Sequence, residues 1–520
     1  MSHAVPLLHD FLLESAQRLP DKVALVCRAE RLTYREIDAR SNALAHTLIR
    51  SGVRRGDRVV VFADNTAETA IAFWAVLKAN AIVSVVNPLT KADKLAYVLN
   101  DCRAAALISD AHLAPAITDA VRQTSHLHTL IVSGDVGATA LADLDGPTLM
   151  TWAAALEGGD RSTPPPRRCI DLDLAAIVYT SGSTGEPKGV MLTHRNMLTA
   201  AASISTYLEI QGDDVILCVL PLAFDYGLYQ MIMAFRAGAR LVLERSFTYP
   251  AQVLHVVVDE EVTGFPGVPT IFAIMAGLKN LGDYDFSRVR FVTNTAAALP
   301  EKHIEMLKVW FPRAKIFSMY GLTECKRCTY LPPADIERKP TSVGIAIPNT
   351  ELWIVDEHDN RVPPGEVGEL VIRGATVMKG YWEKPAATAK RLRPGPVPGE
   401  QVLYTGDYCR LDEDGYLYVV GRMDDIIKSR GEKVAPREIE MVLTNVPGVK
   451  EVAVIGVDDD VLGQAAKAFV VLDEGASLTE RELRRECQQR LESYMVPKYI
   501  ELIDHLPTTT SGKISKTGLS

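Results

Sequence analysis

Short apolar runs rich in β-branched residues alternate with stretches of helical periodicity over most of the chain. Arg58–Ala63 (RVVVFA) predicts a buried strand, Glu68–Lys78 a helix and Ala81–Val86 a second strand. Ala175–Tyr179, Val215–Leu220 and Arg240–Leu243 are further strand-like runs. In Pro300–Phe311 the residues Ile304, Leu307 and Phe311 recur at helical spacing, which predicts an amphipathic helix. Such alternation implies an α/β fold, with helices layered over largely parallel sheets. Gly158–Arg168 and Arg393–Glu400, where proline and glycine accumulate, read as surface connections.

The texture changes after residue 422. Glu451–Val457 and Ala466–Leu472 are short strands, and one helix follows. Thr479 and Glu482 make its capping box, Leu483, Cys487 and Leu491 line one face, and Pro497 stops it. The expected organisation is a large domain of layered α/β subdomains over residues 1–422 and a small α+β domain over 423–520, joined at Gly421–Asp425.

A chain of 520 residues is too long for one compact core. Its 47% apolar and 23% charged residues exclude a mainly disordered polymer. The net charge of −9 argues against a nucleic-acid partner, and it means that any phosphate site must be built locally. The first residues, MSHAVPLLHDFLLESAQ, place acids where a signal peptide is basic and then apolar, so no targeting signal is expected. The most apolar window, Ala70–Val86, is short and broken by Lys78 and Asn80, so no membrane insertion is expected either. Eight cysteines are too sparse for a disulfide scaffold, which points to the cytoplasm. Cys325 and Cys328 form a lone CxxC without the second pair that structural zinc requires.

The apolar run Leu174–Val178 leads into Tyr179–Gly189 (YTSGSTGEPKG). Thr180, Ser181, Gly182, Ser183, Thr184 and Gly185 are all hydroxyl residues or glycine, and Lys188 follows. Glycines let backbone N–H groups approach a ligand, hydroxyls add donors and the lysine adds a point charge, which together make a phosphate cradle. It is not a Walker A loop, because Pro187 stands where that motif needs glycine and Gly189 where it needs Ser or Thr.

This loop resembles the signature of the adenylate-forming superfamily: acyl- and aryl-CoA synthetases, adenylation domains of peptide synthetases and firefly-type luciferases. Leu32–Leu48 and Val262–Phe272 are also similar to that family. Four more motifs follow in the family's order: Tyr320–Glu324 (YGLTE), Tyr404–Asp407 (YTGD), Gly421–Arg422 with Asp424–Asp425 (GRMDD) and Ser511–Lys513 (SGK). The resemblance spans the whole chain. It implies an AMP-forming acid–thiol ligase: ATP and a small carboxylic acid give an acyl-adenylate and pyrophosphate. The acyl group then passes to a thiol, either of CoA or of the phosphopantetheine arm of a carrier protein on a separate chain. A monomer or homodimer is expected.

The site residues carried by the resemblance suit that reaction. A carboxylate must attack the α-phosphorus of ATP, anion against anion, so cations and positioned donors are required. Lys513 is implied to bridge the carboxylate and the α-phosphate, on a C-terminal domain that moves. Glu324 is the implied Mg2+ ligand, since a carboxylate suits a hard cation that keeps waters and phosphates in its shell. Thr323 donates to the phosphates, and Tyr320 and Gly321 lie beside adenine. Asp407 accepts the ribose hydroxyls, and Arg422 reaches ribose or phosphate as a fixed cation. Ala296 and Ala297, in Asn294–Leu299, wall the adenine, and Ala298 faces the acid. Asp424 falls at the hinge about which the C-terminal domain rotates, and Gly431, in Lys428–Lys433 (KSRGEK), lines the thiol's entry.

Phe224, Asp225 and Tyr229 fall in the acid pocket. Many acyl- and aryl-CoA ligases carry His after an aromatic here, whereas Phe224–Asp225 resembles amino-acid-activating relatives. A carboxylate inside an acyl pocket is costly without a cationic partner, and an amine-bearing substrate would supply one. The alternative expectation is thus a stand-alone enzyme loading an amino acid, such as proline or a β-amino acid, onto a separate carrier protein. The plainer reading of Asp225 is a helix N-cap, or a partner of Tyr226 or Lys326. A nucleotide sensor without turnover is disfavoured by the intact Lys188, Glu324, Asp407 and Lys513. An ADP-forming phosphotransferase is disfavoured by the absence of Walker A and kinase motifs.

Overall fold

The computed structural model describes residues 6–137, 141, 144–180, 187–295, 299–429, 432–459, 463–491, 495–508, 514–516 and 518–519. Among these residues the strands form four sheets. Two are the large parallel sheets that the alternation of elements implies. One carries Phe291–Asn294 and Lys315–Tyr320 among its parallel strands, with short antiparallel strands at each edge. The other is built on Arg58–Phe62, Ile82–Val86 and Leu174–Thr180, and the antiparallel Lys188–Thr193 and Gly380–Tyr381 close its edge.

The helix Ala67–Lys78 is apolar nearly all round and is buried nearly all round, as such a helix must be. Its Trp74 stacks on Phe235 of the helix Asp225–Ala237, with ring centroids 5.3 Å apart. Lys78, the charge that interrupts this apolar window, is itself buried. Its ammonium donates to Asp38 Oδ1 at 2.6 Å and to Ser41 and Asn42 at 2.7 Å, so the interruption is satisfied rather than exposed. Glu301–Trp310 is helical, with Ile304 and Leu307 buried.

The third sheet, over Thr350–Val355, Gly368–Gly374, Leu392–Pro394, Gln401–Leu411 and Leu417–Arg422, is antiparallel. Sequence periodicity does not announce it, because Gln401–Leu411 buries four consecutive residues before any alternation begins. The proline-rich stretch expected as a connection contributes its first residues to the strand Leu392–Pro394 and turns back into Gln401–Leu411.

From Ile427 onward the chain builds a separate sheet flanked by the helices Pro436–Thr444 and Glu480–Arg490. Ile439, Leu443, Val454, Val470, Leu483 and Cys487 form its own core. The Thr479–Glu482 capping box is formed as the spacing predicts. The architecture is a large N-terminal α/β domain followed by a small C-terminal domain. Among the described residues no helix is long and apolar enough to cross a membrane.

Candidate active site

The segment expected to cradle phosphates is flanked by paired strands. Thr180 stands opposite Lys188 and Tyr179 opposite Gly189, so the two ends of the Ser/Thr/Gly segment are clamped in register. A buttress fixes this stem from the side. Tyr179 donates to Asp101 Oδ2 at 2.6 Å, Tyr97 donates to the Pro187 carbonyl at 3.1 Å, and Trp382 Nε1 donates to the Asp101 carbonyl at 3.0 Å. Ser181, Gly182, Ser183, Thr184 and Gly185 lie outside the described residues.

Tyr381, on the edge strand beside Lys188–Thr193, links the loop to the expected metal ligand. Its hydroxyl donates to Glu324 Oε1 at 2.7 Å, and the Lys188 ammonium lies 5.7 Å from its ring centroid. Burial and the Glu324 charge hold the Tyr381 hydroxyl protonated far above neutrality. Among the described residues no hydrogen bond engages the second Glu324 oxygen. A half-free carboxylate beside Thr323 fits Mg2+, which asks for one or two protein oxygens and leaves the rest of its shell to water and phosphate. Gly321 is required where it stands, because a Cβ there would lie 1.9 Å from the Lys326 carbonyl. The loop after Tyr320 thus folds tightly on itself.

Asp407 and Arg422 are direct cross-strand partners, with Arg422 Nε 3.2 Å from Asp407 Oδ1. The Tyr320 hydroxyl donates to the other Asp407 oxygen. Burial raises the Asp407 carboxyl above its usual range, and the guanidinium of Arg422 opposes that shift. Among the described residues nothing hydrogen-bonds the buried Asp407 Oδ1, so it has an acceptor to offer a ribose hydroxyl. Gly406, at φ +70°, packs against Arg391, whose guanidinium a Cβ would strike at 2.0 Å. Arg391 favours the charged form of Asp407 and also faces Tyr381. Sequence reading missed both Tyr381 and Arg391. Their only signal is an aromatic after glycine and a basic residue ahead of the YTGD motif, and neither acquires meaning until the strands pair.

Asp225 is the first residue of its helix, not the N-cap, which is Phe224. Asp225 Oδ2 lies 3.7 Å from Arg327 Nη1, and Lys326 contributes a second positive charge. The carboxylate therefore has cations from its own chain, and the reason for expecting a substrate ammonium falls away. Tyr229 is buried one turn along, with the Lys326 ammonium 5.9 Å from its ring centroid. Tyr226 is anchored through its hydroxyl to the Thr293 carbonyl at 2.8 Å. Cys325 and Cys328 are free thiols buried in the core with sulfurs 3.1 Å apart.

Ala296, Ala297, Ala298, Gly431 and Lys513 lie outside the described residues. Thr508 and Ile514, which flank Lys513 in sequence, form an isolated bridge, and Lys516 pairs with Glu440 at 2.8 Å. Asp424 sits in a single helical turn, Met423–Asp425, between the strand that ends at Arg422 and the strand Ile427–Ser429.

The family model for AMP-binding enzymes matches residues 12–382, and that for the AMP-binding enzyme C-terminal domain matches 438–513. The chain belongs to this adenylate-forming family. It is 33% identical to a long-chain-fatty-acid–CoA ligase of Escherichia coli, over 98% of this chain and 94% of that one. It is 31% identical to 4-coumarate–CoA ligase 5 of Oryza sativa subsp. japonica, again over 98% and 94%. Among solved structures it superposes on the anthranilate CoA ligase AuaEII in complex with anthranoyl-AMP, with a TM-score of 0.88 and 28% identity over 98% and 95% of the two chains. It is an AMP-forming acid–thiol ligase. These relatives do not favour the amino-acid-loading alternative, in agreement with the internal partners of Asp225.

Proposed function

We propose that this ligase uses CoA as its thiol and performs both half-reactions at the site between the phosphate loop and the Tyr320–Arg422 cluster. The observation that carries this reading is the pairing of Asp407 and Arg422 beside Tyr320, four residues before the Glu324 that Tyr381 ties to the loop stem. Asp407 holds the ribose, with Arg422 keeping it ionised in a buried setting. Lys188 and the hydroxyls of the loop hold the phosphates. Glu324 and Thr323 would hold Mg2+, which when bound supplies charge neutralisation to the triphosphate. Tyr381 keeps Glu324 aimed. Lys513 brings the cation that offsets the meeting of carboxylate and α-phosphate.

The domain division at 422/423 and the hinge at Asp424 belong to the same proposal. One orientation of residues 423–520 presents Lys513 for adenylation, and the other brings Gly431 to the thiol's path. The named activities of the relatives, all acid–CoA ligases, support CoA over a carrier protein.

The test supplies ATP, Mg2+ and a panel of acids, identifies the nucleotide product, and then offers CoA or a holo-carrier protein. AMP with pyrophosphate, followed by an acyl-CoA, is the expected result. ADP as product would overturn the ligase reading, and transfer to the carrier protein alone would overturn the choice of CoA.

A further inference from the structure

We propose that the acid activated by this chain carries a second, distal carboxylate, which docks on Lys326 and Arg327. The inference rests on the acid-ligase reading above and names its substrate class.

Three charged side chains meet in the interior beside the Glu324 loop. Asp225 is 7% exposed, Lys326 1% and Arg327 4%. Two cations face one buried carboxylate, a local surplus of positive charge that Glu324, engaged by Tyr381 and acting on Lys326 without a direct contact, offsets only in part. Burying such a surplus is expensive unless a counter-charge arrives. The hydrogen-bond account is also open. Among the described residues Lys326 Nζ, Arg327 Nε, Asp225 Oδ2 and Tyr229 OH are all buried without a hydrogen-bond partner, and the 3.7 Å between Arg327 and Asp225 is an ion pair without a hydrogen bond. The rings of Tyr226 and Tyr229 face the cations at 4.7 and 5.9 Å, but a ring face accepts no full hydrogen bond.

The backbone adds a third observation. Lys326 has φ +68°, a left-handed conformation that a lysine adopts at a cost. That conformation lies in the tight fold against Gly321, two residues beyond Glu324, so the ammonium is turned inward from the same loop that holds the expected metal ligand.

The occupants differ in what they would leave behind. An alkyl chain would leave all four polar atoms unsatisfied. A substrate ammonium would set a third cation against one carboxylate. A distal carboxylate neutralises the surplus and accepts from Lys326 and Arg327 with its two oxygens, and the Tyr229 hydroxyl can donate to Asp225 or to the ligand.

The experiment uses the full chain and acid-dependent ATP–pyrophosphate exchange with matched sets: hexanoate, adipate and 6-aminohexanoate; benzoate, isophthalate and 3-aminobenzoate. At least one diacid is expected to exceed its monoacid partner in kcat/KM by tenfold or more. Lys326→Met should cut that ratio at least tenfold, chiefly through the KM of the diacid. Lys326→Arg should retain most of the ratio, and Asp225→Asn should raise it. Thermal melting of each variant separates loss of fold from loss of recognition. Preference for the monoacid or the amino acid in both sets, or a ratio that Lys326→Met leaves unmoved in a folded protein, overturns the proposal. If no acid of any class supports exchange while ATP still raises the melting temperature, the ligase reading itself falls and this inference with it.

Discussion

The hydroxyl of Tyr381 donates a hydrogen bond to Glu324 across 2.7 Å, joining an edge strand of one sheet to the loop that leaves the other. A single charge-assisted bond of this kind contributes about 1.5–3 kcal/mol. Tyr381→Phe removes it and leaves the ring over which Lys188 lies. The expected result is a fall in exchange rate of about tenfold, with more Mg2+ needed for half-maximal rate. An unchanged Mg2+ dependence would show that Tyr381 does not orient the metal ligand.

Asp424→Pro tests the hinge. A proline there fixes φ and limits the backbone change on which the proposed rotation depends. Acid-dependent pyrophosphate exchange should stay within about threefold of wild type, while thioester formation falls by about a hundredfold or more, as expected when only one conformational step is blocked. Equal losses in both half-reactions would remove the hinge.

Acid stability should follow buried histidines. Burial lowers His194 and His303 from the ordinary 6.5 to about 4, and His9 also moves down. The folded state holds these rings neutral, so below pH 6.5 the unfolded chain takes up protons first. Their contribution is complete above pH 6.5 and is lost as pH falls toward 4, by up to about 3 kcal/mol per ring. His303→Leu should flatten the slope of stability between pH 6.5 and 4 by about 1.4 kcal/mol per pH unit, read from urea midpoints. A slope equal to that of wild type contradicts this.

Lys78 and Asp38 should respond unequally. Lys78→Met leaves Asp38 without its cation, but that carboxylate is 17% exposed and still accepts from Asn42 Nδ2, so the loss should be only about 1 kcal/mol. Asp38→Ala leaves the Lys78 ammonium buried with only neutral acceptors and should cost about 3 kcal/mol. Denaturant unfolding of both variants decides the matter, and similar losses would refute the asymmetry.

How much of this was legible in the sequence depended on how local the signal was. Arg58–Phe62, Ala67–Lys78 and the capped helix Glu480–Arg490 declare themselves by composition and period, because one face or the whole surface is apolar. Glu324, Asp407 and Arg422 stand out by their motifs. The antiparallel sheet around Gln401–Leu411 does not, since its strands bury consecutive residues in one place and alternate in another. Tyr381 and Arg391 are invisible for a different reason: each acts on a residue more than a dozen positions away, and only strand pairing brings them together. Asp225 was read correctly as a charge needing a partner. Its partner is Arg327, about a hundred positions on, where sequence offers no reason to connect the two.

Arg422 is at once the cross-strand partner of Asp407 and the last residue before the Met423–Asp425 turn. The proposed pivot at Asp424 therefore begins two residues from the pair proposed to hold the ribose. Thermodynamic reciprocity then applies: if nucleotide draws Arg422 toward one geometry and so favours one orientation of the C-terminal domain, that orientation must favour nucleotide by the same factor. On that condition release of AMP and the turning of the small domain would be a single equilibrium, and a change at either end would be felt as affinity at the other.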